Sequence, residues 1–195
     1  IFTNAFGRNN MYNISEGGSD WQKIVIINAI TKEKIDETIT DVKFSGASWL
    51  GDEGFFYSTY GKVQGSELSA KTDMHKVYFH KLGTKQSEDK HIIGDENFKR
   101  RYMNIGVSDD ERFLILSAAT ATNGNELYVK DLKNNTDWIA IQKGFDYNTD
   151  VLDTKGDFIY IMTDKNAPNM KLQKFDIKNP SVWTDVIPET ENVLS

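Results

Sequence analysis

The chain has no cysteine and only three prolines among its 195 residues. The first absence removes disulfides, thiolate metal sites and thiol nucleophiles together. The second, with fourteen glycines falling mostly between apolar stretches, suits a sheet protein punctuated at its turns. Long apolar runs are lacking too, and none nears the roughly 20 residues that a membrane-spanning helix requires. Positive charge is in deficit: Lys plus Arg is 23 against 29 for Asp plus Glu, a net charge of −6. Phosphate backbones and anionic lipid are held by clustered Lys and Arg, so neither nucleic acid nor a membrane is an expected partner. The one basic cluster, Lys99-Arg100-Arg101, reads as a solvated loop.

Motifs that carry chemistry are sparse as well. A nucleophilic serine at a strand-to-helix turn needs G-x-S-x-G, and the nearest string, GGSDW at 17–21, fails at its last glycine. The three histidines are His75, His80 and His91. The first two are five apart beside one strand and would point to opposite faces, which suits neither metal ligation nor a base with its orienting partner. They read as surface or cross-strand histidines. HExxH, the EF-hand loop and the Gly-rich phosphate loop are all missing. Asp109-Asp110-Glu111 reads as a turn before a strand rather than a metal site. Asn13-Ile14-Ser15 and Asn134-Asn135-Thr136 match the short glycosylation sequon, a weak signal. No catalytic residue, metal ligand or cofactor is expected.

What is present is a repeat. QKIVIINAITK (22–32), KVYFHKLGT (76–84), ELYVKDLKN (126–134) and KLQKFDIKN (171–179) each alternate apolar and polar residues and end in turn formers. Before three of them lies a nearly continuous apolar strand, GFFYSTY (54–60), RFLILSA (112–118) or DFIYIMT (157–163), expected to be buried on both faces. NMYNIS at 10–15 holds that place in the first repeat. A more polar strand follows each repeat (DETITDVKF, KHIIGD, DWIAIQK, WTDVIPE), and another precedes the buried strand (ASWLGD, NIGVSDD, TDVLDTKG). The stretch ELSAKTDMHK at 67–76 lacks the apolar stripe of a helix.

Four antiparallel strands recurring every 45 to 53 residues are the pattern of β-propeller blades. The expected fold is all-β, a β-propeller arc of about four four-stranded antiparallel blades. It forms one segment over 1–195, with an incomplete first blade at 1–45 and blades at about 46–98, 99–144 and 145–190. The chain starts at Ile1 rather than Met and out of phase with the blades, so a piece of a longer protein is expected. An arc leaves its end blades uncovered, from which self-association is expected.

Particular strings go further. DVKFSGASW (41–49), HKVYFHKLGTKQSEDK (75–90), VSDDERFLILSAA (107–119), NAPNMKLQKFD (166–176) and IPETENVLS (187–195), with GGSDW, occur in the order and spacing of one family. In these the chain resembles the propeller of the prolyl oligopeptidase family, especially its bacterial prolyl endopeptidases, over nearly its whole length beyond about residue 10. The resemblance implies a partial seven-bladed propeller that caps an α/β-hydrolase domain and limits entry to short peptides, which the parent serine peptidase cleaves after proline. No hydrolase domain and no Ser-His-Asp triad fall within the chain, so alone it is expected to be non-catalytic. Its implied partners are a peptide substrate and the parent's hydrolase domain, in the cytoplasm or periplasm of a bacterium. A free-standing propeller-like module that binds a peptide or protein is the alternative.

The resemblance also implies site residues. Asp20, in the SDW turn, corresponds to an aspartate paired with a hydrolase-domain arginine, and its residue type equally suits an Asx turn. Phe44, in VKF, corresponds to an aromatic of the substrate pocket, although composition alone favours core packing. Tyr102 falls where the family often has methionine. Ala119 and Thr122, in SAATATNGNE, fall where some members carry a substrate-binding arginine and a cysteine. Alanine cannot donate that hydrogen bond, so the contact is lost or supplied from elsewhere.

Overall fold

The computed structural model describes residues 2–3, 7–15, 17, 19–60 and 73–194. Most of 67–76 and Gly18 of the GGSDW string lie outside them. The chain divides into two compact units, Ile1–Gly106 and Val107–Ser195.

The first unit is built on β1 (Phe2–Thr3), β2 (Asn9–Ser15), β3 (Trp21–Asn28), β4 (Lys34–Leu50), β5 (Gly54–Thr59), β6 (Lys76–Lys81) and β7 (Lys90–Ile93). They form one seven-stranded sheet in chain order, every described neighbour antiparallel. All six residues of β5 are buried, as its continuous apolar run predicts. Around it Met11, Ile24, Ile26, Ile39, Trp49, Phe55 and Tyr57 make the core. β8 (Tyr102–Val107) carries the chain across the division between the units.

The sequence predicts two strands, DETITDVKF and ASWLGD, where the structure has the single 17-residue β4. Only Ser45 and Gly46 separate them, and the chain bends without leaving the sheet. The first part of β4 pairs with β3 from Lys34 to Lys43, and Ala47–Leu50 pairs with β5. The register shifts between Val42 and Ala47. Asp41 and Phe44 take up the bend at φ 59° and 52°. Hydroxyls stitch it to β5. Ser45 accepts from the Ser58 N–H at 2.7 Å, and Thr59 donates to the Asp41 carbonyl.

The second unit contains β9 (Phe113–Ala119), β10 (Glu126–Asp131) and β11 (Ile139–Gln142), an antiparallel meander. A four-stranded antiparallel sheet follows: β12 (Thr149–Lys155), β13 (Phe158–Thr163), β14 (Lys171–Asp176) and β15 (Thr184–Ile187). Phe113, Leu127 and Val129 pack against Ile159, Ile161, Phe175 and Ile177. β13 was expected to be buried on both faces, but Ile159 and Ile161 are buried whereas Phe158 is 41% exposed. Only the inner side of this sheet meets that core. The Asp109–Glu111 carboxylates sit in a turn, as their residue types predict: Asp110 accepts from the Ser108 hydroxyl at 2.6 Å and the Arg112 N–H at 3.2 Å.

Candidate functional site

The bend in β4 faces an open cleft of about 750 Å³ in the first unit, lined by Asp20, Gln22, Phe44, Ser45, Asn104 and Ile105 among others. Each wall has a local cause. Asp20 is carried by the turn between β2 and β3, where Ser19 Oγ accepts from the Trp21 N–H at 3.1 Å and the Ser15 hydroxyl donates to the Ser19 carbonyl at 2.7 Å. Behind Gln22 and Ser45, the Asn13 amide donates to Gln22 Oε1 at 3.1 Å and to the Ser45 carbonyl at 2.9 Å. The sequon asparagine Asn13 is thus committed to the fold rather than offered at the surface.

Phe44 departs from what composition favours. It is not in the core but 49% exposed, at a positive φ that a bulky residue adopts only when its surroundings force it. Its ring meets Tyr102 edge-on, with centroids 5.5 Å apart and planes at 84°. Tyr102 is itself 48% exposed. Lys43 Nζ lies 5.0 Å from the Phe44 ring and 5.4 Å from the Trp21 ring, and 3.4 Å from Asp20 Oδ2. The Asp20 side chain is 66% exposed, so this ion pair is a weak one, worth at most about 1 kcal/mol, and leaves the carboxylate open to a further cation.

The structure therefore brings Asp20, Phe44 and Tyr102 into one neighbourhood. Ala119 and Thr122 lie in the second unit. Ala119 is the last, half-buried residue of β9, and Thr122 is exposed in the loop that follows. Gly124 closes that loop at φ 77°, donating its N–H to Asn148 Oδ1 at 2.9 Å. A side chain there would run into the Phe145 carbonyl, 1.8 Å from its Cβ, so glycine is required.

Of the two readings open for the histidines, surface or cross-strand, the surface one fails for His75, which is 1% exposed. Its ring stacks on Tyr60 at 4.5 Å, and its nitrogens reach the backbone of Lys43 and Met103. Burial pulls its pKa down to about 4, opposed in part by the hydrogen bond to the Lys43 carbonyl. His80 is equally buried and lies between Asp89 and Glu37, away from the cleft. No motif marks His75, because its partners lie 32 and 28 residues away in sequence.

Antiparallel sheets in meander order, with an open cleft at a strand bend, define an all-β segment of the β-propeller class. The known relatives agree. The N-terminal β-propeller domain of prolyl oligopeptidase matches residues 7–195. The chain is 63% identical over 186 residues to the prolyl endopeptidase of Elizabethkingia meningoseptica, covering 94% of this chain and 26% of that protein. It is 29% identical over 208 residues to prolyl oligopeptidase A of Galerina marginata, covering 94% of this chain and 28% of that one. A solved prolyl endopeptidase, from work on inter-domain dynamics in catalysis and specificity, matches with a TM-score of 0.88 at 25% identity, over 100% of this chain and 28% of that one. The chain belongs to the prolyl oligopeptidase family, in its N-terminal β-propeller domain. It spans about a quarter of the length of the curated relatives it matches.

Proposed function

We propose that this chain is the part of a propeller that, in a proline-specific serine peptidase, covers the hydrolase active site and admits only short peptides. The cleft of the first unit is the face turned toward the substrate. The observation that carries this reading is Phe44. A bulky side chain held at φ 52° costs on the order of 1–3 kcal/mol, and an exposed ring returns little of that through burial. Strain of this kind is retained where function requires it. With Tyr102 beside it, Phe44 offers apolar ring faces and edges suited to a prolyl or other apolar side chain. Asp20 is open to a cationic partner from the hydrolase domain, and its weak pairing with Lys43 gives way at low cost. Thr122 is exposed and carries a hydroxyl, whereas Ala119 can offer only apolar contact. The blade limits near 46–98, 99–144 and 145–190 belong to the same proposal.

The test is a chimera in which this chain replaces the matching segment of the Elizabethkingia meningoseptica prolyl endopeptidase. The chimera is expected to cleave an N-blocked Gly-Pro chromogenic peptide and to leave a folded protein intact. Phe44→Ala in the chimera is expected to raise KM by on the order of tenfold, the size of one lost aromatic contact. A folded chimera in which Phe44→Ala and Tyr102→Ala leave kcat/KM unchanged would refute the assignment of the cleft. The isolated chain is expected to show no turnover, and turnover that survives repurification would overturn the non-catalytic reading.

A further inference from the structure

The Phe44–Tyr102 pair is exposed, with both rings outside the hydrophobic core. His75 reaches it through the backbone. Its Nε2 lies 3.1 Å from the Lys43 carbonyl oxygen, and its Nδ1 lies 2.9 Å from the Met103 amide nitrogen. A carbonyl only accepts and an amide N–H only donates. The ring must therefore be neutral, with its proton on Nε2 and its lone pair on Nδ1. The two peptide groups it grips are those bonded directly to the pair: the Lys43 carbonyl precedes the Phe44 nitrogen, and the Met103 nitrogen follows the Tyr102 carbonyl. One imidazole thus fixes both peptide planes from which the two aromatic side chains hang.

The ring itself has little freedom. It is 1% exposed and stacked on Tyr60 at 4.5 Å and 24°. Its backbone is held against Gly94, where a side chain would meet the His75 carbonyl at 2.6 Å and Lys76 Cα at 2.7 Å. Among the described residues, the groups facing the imidazole are the Tyr60 ring, the Lys43 carbonyl and the Met103 N–H, with the Tyr102 phenol next to Tyr60.

We infer that His75 is a positioning residue for the peptide-binding cleft, a neutral imidazole strap that holds Phe44 and Tyr102 in the edge-on geometry that meets substrate. This rests on the reading of the cleft as a peptide surface, and the experiment separates the two. In the chain labelled with 15N-histidine, NMR is expected to show His75 as the Nε2–H tautomer at neutral pH, titrating near pH 4 rather than near the ordinary histidine value of 6.5. As it protonates, Nδ1 can no longer accept from Met103, and the cross-peak between the Phe44 and Tyr102 rings should fade.

His75→Ala is expected to remove that cross-peak while the core signals of Val129 and Ile161 in the second unit stay in place. It is also expected to weaken binding of an N-blocked Gly-Pro peptide by on the order of tenfold, the equivalent of one lost hydrogen bond. His75→Asn, whose amide oxygen can stand in for Nδ1, and His75→Gln, whose amide nitrogen can stand in for Nε2, should each recover part of both signals. A His75→Ala chain that keeps the ring cross-peak, or an Nδ1–H tautomer in the unmutated chain, would overturn the inference. Should His75→Ala fail to fold, the tautomer and acid titration of the unmutated chain still decide. Loss of the cross-peak in His75→Ala, with no peptide binding by the unmutated chain, would uphold the strap and defeat the peptide reading instead.

Discussion

His75 and His80 sit five residues apart in one unit, each 1% exposed, yet their surroundings leave one neutral and the other charged. Among the described residues His75 touches a carbonyl, an N–H and an aromatic face, and burial lowers its pKa to about 4. His80 meets Asp89 Oδ1 through Nδ1 at 2.7 Å and Glu37 Oε2 through Nε2 at 3.1 Å. Carboxylates accept, so both of its nitrogens must carry protons. Desolvation alone would lower the His80 pKa, but hydrogen bonds to Asp89 and Glu37 and their charges outweigh it and raise it. Tyr57 completes the cluster by donating to Asp89 Oδ2 at 2.7 Å. Burial therefore does not decide protonation here; the partners do. A neutral ring can grip two backbone segments at the cleft, whereas a charged one holds a buried carboxylate, Asp89, and a half-buried one, Glu37.

The largest effect should come from breaking the charged half. His80→Ala leaves Asp89 and Glu37 without their cation. Asp89 has a side chain only 2% exposed, so this is the loss of one partner from a buried ion cluster. It is expected to cost about 3–5 kcal/mol in a urea titration. His75→Ala, which strands only neutral groups, is expected to cost less, about 1–3 kcal/mol. A reversal of that order would show that the carboxylates are solvated rather than buried.

The next effect needs no mutation. A histidine whose folded pKa is lowered from 6.5 to about 4 binds its proton first in the unfolded chain. Stability should therefore fall as pH drops from about 6.5 to about 4, by on the order of 3 kcal/mol. His80 has the opposite sign. Its folded pKa is raised, so its contribution is complete below 6.5 and is lost as pH rises through the folded value. His75→Gln should flatten the acid limb and leave the alkaline limb unchanged, as read from unfolding midpoints across the pH range. An acid limb that survives in His75→Gln would assign it to carboxylates instead.

The strands were legible because their pattern is periodic: β5 reads as a continuous apolar run and is buried at every position. Site geometry was less legible, since it depends on exceptions to pattern. The merging of two expected strands into β4 turns on positive φ at Asp41 and Phe44, and nothing in DVKFSG marks those residues for it. Phe44 looked like core because phenylalanine usually is. The Phe44 position came from resemblance alone, and only its backbone angle and exposure gave it a physical reason. His75 was invisible for a different cause. Its partners are a carbonyl and an amide nitrogen, which every residue has, so no residue type at Lys43 or Met103 announces the contact.

The smallest effect on stability should come from Phe44, and its contrast with Phe55 separates a residue kept for binding from one kept for packing. Phe55 is fully buried, in contact with Trp49, Tyr57 and His80, so Phe55→Ala is expected to cost about 3–5 kcal/mol. Phe44→Gly removes a ring that is half in solvent and relieves its left-handed backbone, against which stands the greater freedom glycine gives the unfolded chain. These terms oppose one another, and the net change is expected to stay within about 1 kcal/mol of zero. Binding of the N-blocked Gly-Pro peptide should nevertheless fall, because Tyr102 loses its edge-on partner. If Phe44→Gly instead destabilised the chain as Phe55→Ala does, Phe44 would be a packing residue, and its positive φ would reflect the demands of the β4 bend alone.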